Sequence, residues 1–335
     1  MHIHRRSSFL LSFSALCLLL VLIVAACGSS NTDTGSGTSL KKVSIGLGYI
    51  PDIQFAPFYV AQSKGYYKAA GLDVTFHPGD VNDLIGSMVL GKDNFVFASG
   101  DEELVARSKN LNVVDVSTIF QRYPVSLIVP ADSSIHTLAD LKGHTIGIPG
   151  PYGATYIGLL AFLNYAHLSL SDVHLQSIGF TQVAALLGHK VDAVMGYSNN
   201  EPLQLNSRGF KVRTFDVSDY QPLVSNGIIT TEATLNSQPQ LVRNFVQATI
   251  KGLRDVIADP AAAVQISKGY IADLNTATAM TVLQATISIW QGNGKVALGY
   301  NDTATWQSME QFLVAQKIIP PVQNLAQAYT NSTVS

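Results

Sequence analysis

Aromatic, amide and carboxylate side chains that recur in a few short loops are the residues of this sequence best suited to chemistry. The candidate contacts are Tyr49, Asp52, Gln54, Phe55, Tyr59, Asp101, Gln121, Tyr123, Tyr152, Thr155, Tyr197, Asn199, Asn200, Glu201 and Asn226. Aromatic rings offer faces on which a flat ring can stack, and each amide offers a donor beside an acceptor. The set therefore predicts non-covalent binding of a flat, polar heterocycle.

Several of these residues also fit purely structural roles. Asp52 and Asp101 each stand where a helix is predicted to begin, and a carboxylate there caps the helix by accepting backbone N–H bonds. Phe55 suits a hydrophobic core as well as it suits a ligand. Residues 196–202 gather amides, a tyrosine and a carboxylate that are costly to bury without partners, which favours a ligand site over an exposed loop.

The glycine-rich stretch of residues 147–155 turns from a predicted strand into a predicted helix. Free N–H groups at such a turn can bind an oxygen-rich group. The stretch lacks the Gly-Lys-Ser/Thr ending of a P-loop, and no acidic residue is placed to bind a ribose. A nucleotide site is therefore not predicted.

Motifs for a catalytic nucleophile or a metal are missing. No serine lies in a Gly-x-Ser-x-Gly elbow, no histidine pair has metal-ligand spacing, and the two cysteines are Cys17 and Cys27. We therefore expect no enzymatic activity, no cofactor, no metal and no disulfide in the folded body.

The first 27 residues resemble a bacterial lipoprotein signal. Arg5 and Arg6 precede an uncharged, mostly apolar stretch over residues 9–26, and two alanines then stand directly before Cys27. In this interpretation residues 1–26 are removed and Cys27 carries the lipid. The alternative is a plain membrane anchor, because about 18 apolar residues can just span a bilayer. The ending of small residues and cysteine favours the lipoprotein.

Residues 27–40 are rich in glycine, serine and threonine, so they are predicted to form a flexible tether. The chain has a formal net charge of −2 and no basic cluster, which argues against nucleic acid as a partner. We expect a globular body that lipid holds at the cell membrane on its extracytoplasmic side, in the periplasm or at the outer surface.

Short β-branched runs alternate with helical patterns along the rest of the chain, which predicts an α/β fold with parallel sheets and helices on both faces. One long helix is predicted over residues 55–70. The pattern restarts near residue 124, so two lobes are expected, with residues 41–123 in lobe 1 and residues 124–220 in lobe 2. Residues 221–335 then return to lobe 1 and end in helices. Ligands in such folds bind beyond the carboxyl ends of the strands, where the candidate loops lie.

Several motifs carry a resemblance to a known family. They are the run Tyr49-Ile50-Pro51-Asp52, the later Gly71-Leu72-Asp73-Val74, and residues 138–147 and 191–194. With these motifs the chain resembles the ABC-importer periplasmic binding proteins of the thiamine-pyrimidine-precursor and alkanesulfonate type. Residues 48–62, 178–186 and 196–202 are most similar to the riboflavin-binding branch.

The resemblance implies a two-lobed type II, Venus-flytrap fold with a helical C-terminal part, and an importer permease as partner. It implies riboflavin as a transported ligand, not a cofactor, with a formylaminopyrimidine or an alkanesulfonate as alternatives. Pyrimidine synthases share this fold, but they need a cysteine-rich segment that is absent here. A sensory extracellular domain is a third possibility, which would need a transmembrane link to an output module.

Overall fold

The computed structural model describes residues 39–334, which form an α/β structure with two five-stranded sheets. The predicted signal peptide, the lipidation site Cys27 and most of the predicted tether lie outside the described residues. Within the described part of the chain, no helix is long and apolar enough to cross a membrane.

The first sheet has the strand order β2-β1-β3-β10-β4. Its strands are β1 (Lys41–Leu47), β2 (Leu72–Pro78), β3 (Phe95–Ser99), β4 (Val113–Thr118) and β10 (Asn226–Thr231). The helices between them are α1 (Ala56–Ser63), α2 (Tyr66–Ala69), α3 (Val81–Val89) and α4 (Gly100–Ser108). This sheet therefore combines the first four strands of the chain with its last one.

The second sheet has the strand order β7-β6-β8-β5-β9. Its strands are β5 (Val125–Pro130), β6 (Thr145–Ile148), β7 (His174–Ser177), β8 (Ala193–Tyr197) and β9 (Val212–Asp216). Its helices are α5 (Gly153–Tyr165), α6 (Gln182–Leu187) and α7 (Glu201–Ser207). The chain passes between the two sheets twice, over residues 119–124 and 217–225.

The prediction of all-parallel sheets is wrong for one strand in each sheet. β10 runs antiparallel to β3 and β4, and β5 runs antiparallel to β8 and β9. Each of these strands is the one by which the chain enters a sheet from the other sheet. The chain leaves one sheet at the carboxyl end of a strand, and the connection to the other sheet is short. The next strand therefore starts on the side where the neighbouring strands of its sheet end, and it runs antiparallel to them.

The single helix predicted over residues 55–70 is interrupted. A short 3₁₀ turn spans Ile53–Phe55, and α1 ends before Gly65, whose φ of 73° is the left-handed conformation that glycine adopts most easily. A new helix, α2, then starts at Tyr66.

The C-terminal helices are α8 (Glu232–Ser237), α9 (Pro239–Ala258), α10 (Pro260–Ser267), α11 (Thr276–Gln291) and α12 (Thr303–Ala315). Side chains of α9, α10 and α11 join the core of the first sheet, where Phe245 stacks on Phe95 with ring centroids 4.2 Å apart. Side chains of α12, such as Trp306 and Leu313, join the core of the second sheet. The C-terminal part of the chain thus stabilises both sheets.

Candidate functional site

A cleft lies where strands of both sheets end, with a volume of about 710 Å³ including its open mouth. The residues that line it are Gly48, Tyr49, Gln54, Phe55, Asp80, Val81, Phe97, Glu102, Pro149, Tyr152, Gly153, Ala154, Thr155, Phe180, Gln182, Tyr197, Asn200, Glu201 and Asn226.

Strand direction explains why these residues meet. β1, β2 and β3 end at the cleft and deliver Tyr49, Asp80 and the start of α4. On the other side, β6 leads through Tyr152 into α5, and β8 leads into α7 at Glu201. The carboxyl ends of parallel strands share one edge of a sheet, so loops that are distant in sequence come together there.

Aromatic rings from both sides meet in the cleft. The rings of Tyr49 and Phe180 form a T-shaped pair, with centroids 4.9 Å apart and planes at 76°. The pKa of Tyr49 is raised by burial and by the charge of the Glu201 carboxylate. Tyr197 donates to Asn226 Oδ1 at 3.2 Å. All three rings line the cleft, where a flat ligand can contact them.

Three carboxylates complete the lining. Burial raises the pKa of Glu201 to about 7, although its Oε2 accepts the backbone N–H of Tyr197 at 2.8 Å. Interaction with the Asp80 carboxylate raises the pKa of the Tyr152 hydroxyl to about 12. Glu102 accepts the backbone N–H of Ala154 at 3.3 Å. No lysine, arginine or histidine is among the lining residues.

A family model described as NMT1/THI5 like matches residues 52–263. The chain belongs to the NMT1/THI5-like family. This confirms the family resemblance inferred from the motifs.

Several named proteins are similar to this chain over most of their length. The riboflavin-binding protein RibY of Chloroflexus aurantiacus is 37% identical over 88% of this chain and 87% of its own. The formylaminopyrimidine-binding protein of Halalkalibacterium halodurans is 27% identical over 91% of this chain and 94% of its own. A 4-amino-5-hydroxymethyl-2-methylpyrimidine phosphate synthase of Legionella pneumophila is 24% identical over 88% of this chain and 93% of its own.

Among solved structures, the alkanesulfonate-binding protein SsuA of Xanthomonas axonopodis pv. citri superposes with a TM-score of 0.71 at 16% identity. The match covers 87% of this chain and 98% of that one. It confirms the predicted α/β fold class, with the two-sheet architecture of the periplasmic binding proteins.

Most of the contacts predicted from the sequence of this NMT1/THI5-like protein line the cleft. They are Tyr49, Gln54, Phe55, Tyr152, Thr155, Tyr197, Asn200, Glu201 and Asn226. All lie at or just beyond strand ends, as the fold class requires.

The structure places three other predicted residues in the protein core. Tyr59 is 2% exposed and stacks on Tyr270 with centroids 4.4 Å apart. Asp101 is fully buried beside Tyr123, whose hydroxyl lies 3.2 Å from Asp101 Oδ1 and donates to the carbonyl of Ala154 at 2.9 Å. Tyr59, Asp101 and Tyr123 therefore have partners in the protein and lie behind the cleft wall.

The remaining three predicted residues bond to neighbouring elements. Asp52 caps the 3₁₀ turn by accepting the N–H of Gln54 at 3.1 Å, which is the capping alternative. Gln121 donates to the carbonyls of Thr118 and Tyr300. Asn199 donates to Thr286 on α11 at 2.8 Å.

Sequence reasoning missed several lining residues, among them Asp80, Phe97, Glu102, Phe180 and Gln182. Asp80, Phe180 and Gln182 could have been found, because each shortly follows a predicted strand. Phe97 lies within β3 and Glu102 within the first turn of α4. Whether their side chains line the cleft depends on which face of the strand and of the helix is turned toward it, and the sequence alone does not show this.

In residues 39–334, no group of three or more His, Cys, Asp or Glu side chains is arranged to hold a metal ion. The aromatic and amide lining of this NMT1/THI5-like protein can stack on a flat molecule and match its hydrogen-bonding edge.

Proposed function

We propose that this protein binds riboflavin on the extracytoplasmic side of the membrane and delivers it to an ABC importer. The observation that carries the proposal is a cleft lined by aromatic rings, amides and carboxylates without a single cation. The 37% identity with a riboflavin-binding protein over most of both chains supports the same ligand.

The chemistry of riboflavin suits such a lining. Its isoalloxazine is a flat, three-ring system, and stacking on Tyr49, Phe180 or Tyr197 contributes on the order of 1 kcal/mol per ring contact beyond area burial. Its uracil-like edge alternates acceptors and donors, which Gln54, Gln182 or Asn200 can match because each amide is both donor and acceptor. The ribityl hydroxyls can donate to the carboxylates.

Other ligands of the family are less well supported. A formylaminopyrimidine is also flat and polar, and a relative at 27% identity binds it, so it is the second candidate. An alkanesulfonate is an anion and would meet three carboxylates and no cation in this cleft. A pyrimidine synthase activity is disfavoured because such enzymes need a cysteine-rich segment, whereas the cysteines here are Cys17 and Cys27.

Fluorescence titration with riboflavin tests the proposal, because stacking on tyrosine quenches flavin emission. We expect submicromolar affinity. Tyr197→Ala and Asn200→Ala should each weaken binding by about tenfold or more, since each leaves a buried polar partner unpaired. Tyr165→Ala is the matched control, because Tyr165 is 58% exposed at the far end of α5.

Calorimetry distinguishes the two candidate ligands. Binding of a formylaminopyrimidine together with no heat from riboflavin would transfer the assignment to the pyrimidine. An effect of Tyr165→Ala equal to that of Tyr197→Ala would place the riboflavin site elsewhere.

We further propose that Cys27 carries a lipid that holds the protein at the membrane. Two or three acyl chains anchor a protein stably, whereas one binds only marginally. The Cys27→Ser variant should leave the detergent phase in a phase-partitioning experiment, because serine cannot form the thioether. Unchanged partitioning of this variant would contradict the anchor, and Cys17→Ser is the control.

A further inference from the structure

The N-terminus of α5 points into the cleft, and a helix N-terminus is a position that favours a bound anion. Here a carboxylate of the protein already lies there. Glu102 Oε1 accepts the backbone N–H of Ala154 at 3.3 Å. The same oxygen would lie only 2.8 Å from a Cβ atom added at Gly153, so the carboxylate sits directly against the first residues of the helix.

Glu102 reaches this position from the opposite side of the cleft. It belongs to the first turn of α4, which follows a strand of the first sheet, whereas α5 follows a strand of the second sheet. Its other oxygen, Oε2, accepts the N–H of Ser99 at the start of its own helix, at 2.8 Å. One carboxylate therefore accepts backbone N–H groups from two helix N-termini.

Two other carboxylates add to the negative charge that Glu102 brings to the cleft. Asp80 and Glu201 also line the cleft, and no lysine, arginine or histidine lines it. An anionic ligand would therefore meet like charges, and it would find the α5 N-terminus already bonded to a carboxylate. Like charges brought together at an interface disfavour binding strongly.

We propose that Glu102 acts as an internal anion at the N-terminus of α5 and makes the cleft selective for uncharged flavins over phosphorylated ones. This selectivity rests on the proposed binding of riboflavin. In this proposal Glu102 determines specificity, because its negative charge occupies the place where a phosphate or sulfonate would otherwise bind. Discrimination then comes from a repulsive element rather than from an extra attractive contact.

Burial raises the pKa of Glu102 above its ordinary value and that of Glu201 to about 7. The first test is therefore titration of the wild-type protein with riboflavin and with flavin mononucleotide over a pH series from about 7 to about 9, in which the carboxylates become more fully charged. The two ligands share the flat ring and differ by a phosphate. We expect flavin mononucleotide to bind at least about tenfold more weakly than riboflavin.

Glu102→Gln gives the second test. Glutamine keeps the shape of the side chain and can still cap α4, but it removes the charge. The ratio of the two affinities should fall by about tenfold, mostly through tighter binding of flavin mononucleotide. Asp132→Asn is the control: it removes an exposed carboxylate just beyond the end of β5 that lies away from the cleft, and it should leave the ratio unchanged.

The possible outcomes distinguish the proposed selectivity from the proposed binding of riboflavin. Equal wild-type affinity for both flavins would overturn the selectivity and leave the proposed function standing. An unchanged ratio in Glu102→Gln would overturn the role of Glu102. A wild-type protein that binds neither flavin would overturn the proposed function and the selectivity with it. The wild-type comparison needs no variant, so it tests the selectivity for uncharged flavins even if Glu102→Gln does not fold.

Discussion

Two buried carboxyl groups, those of Asp101 and Asp115, make folding depend on pH. Asp115 is fully buried, and its Oδ1 accepts hydrogen bonds from the N–H of Ser117 at 2.7 Å and from Asn301 at 3.0 Å, while its Oδ2 has no partner. Burial raises the pKa of Asp115 to about 7 and that of Asp101 to about 8. The folded protein therefore holds protons on these groups at pH values where the unfolded chain has lost them.

From these shifts we predict that stability falls as pH rises. A carboxyl group whose pKa is higher in the folded state than in the unfolded state contributes its full stabilisation below the unfolded pKa. That contribution decreases as the pH rises and is lost once the pH passes the folded pKa, which is near 7 for Asp115 and near 8 for Asp101. Asp172, whose pKa is lowered to about 2 by Ser169 and Lys142, acts in the opposite direction only below its unfolded pKa of about 4. The melting temperature should therefore drop between about pH 5 and pH 8.

Thermal melts of Asp115→Asn check this prediction. The amide keeps the acceptor for Ser117 and Asn301 but cannot ionise, so the drop should shrink by at least about 2 °C. Asp132→Asn, at an exposed position, should melt as the wild type does. A melting temperature that rises from pH 5 to pH 8 would show that the buried carboxyls do not control stability.

At the scale of elements, α9 and α1 approach so closely that a side chain does not fit between them. A Cβ atom at Gly252 would lie 2.3 Å from the carbonyl oxygen of Pro57 and 2.9 Å from the Cβ of Ala61. We predict that Gly252→Ala forces the helices apart and destabilises the protein by about 1–3 kcal/mol. Urea unfolding measures the change.

The matched control for that helix contact is Gly86 in α3. A Cβ atom there would meet nothing within 4 Å. Gly86→Ala should therefore stabilise the protein by about 0.5–1 kcal/mol, because alanine is the better helix former. Destabilisation by both variants to the same extent would show that the close contact between α9 and α1 is not the cause of the effect at Gly252.

At the scale of the whole folded body, contacts across the cleft hold its two sides together. Tyr49 contacts Phe180, Tyr197 donates to Asn226, and the N–H of Ala154 donates to Glu102. Among the described residues, the strands of the two sheets are joined by residues 119–124 and 217–225, and residues 292–302 lead from α11 on the first sheet to α12 on the second. These few contacts and short connections favour a hinge motion that a ligand between the sides would bias towards closure.

We predict that saturating riboflavin lowers the radius of gyration measured by small-angle scattering. The ligand adds contacts to both sides and so stabilises the closed arrangement. At the same riboflavin concentration Tyr197→Ala should respond less, because it binds more weakly. A radius that stays constant while riboflavin demonstrably binds would indicate a cleft that is closed without ligand.

The order of strands and helices and the candidate loops could be read from the sequence, because they depend on local patterns. Alternating β-branched and helical runs locate the strands, and the loop after each strand end locates residues such as Tyr49, Tyr152 and Tyr197. The family could be recognised from short motifs for the same reason. What these patterns share is that a few neighbouring residues suffice to define them.

The tertiary structure decided which of the candidates face the cleft. Tyr49 and Tyr59 are alike in type and near in sequence, yet Tyr49 lines the cleft whereas Tyr59 stacks on Tyr270, more than 200 residues away along the chain. Glu102 becomes a cleft residue only because the second sheet brings Ala154 to it. Burial, strand direction and the pairing of charges depend on contacts between distant segments, which no local pattern contains.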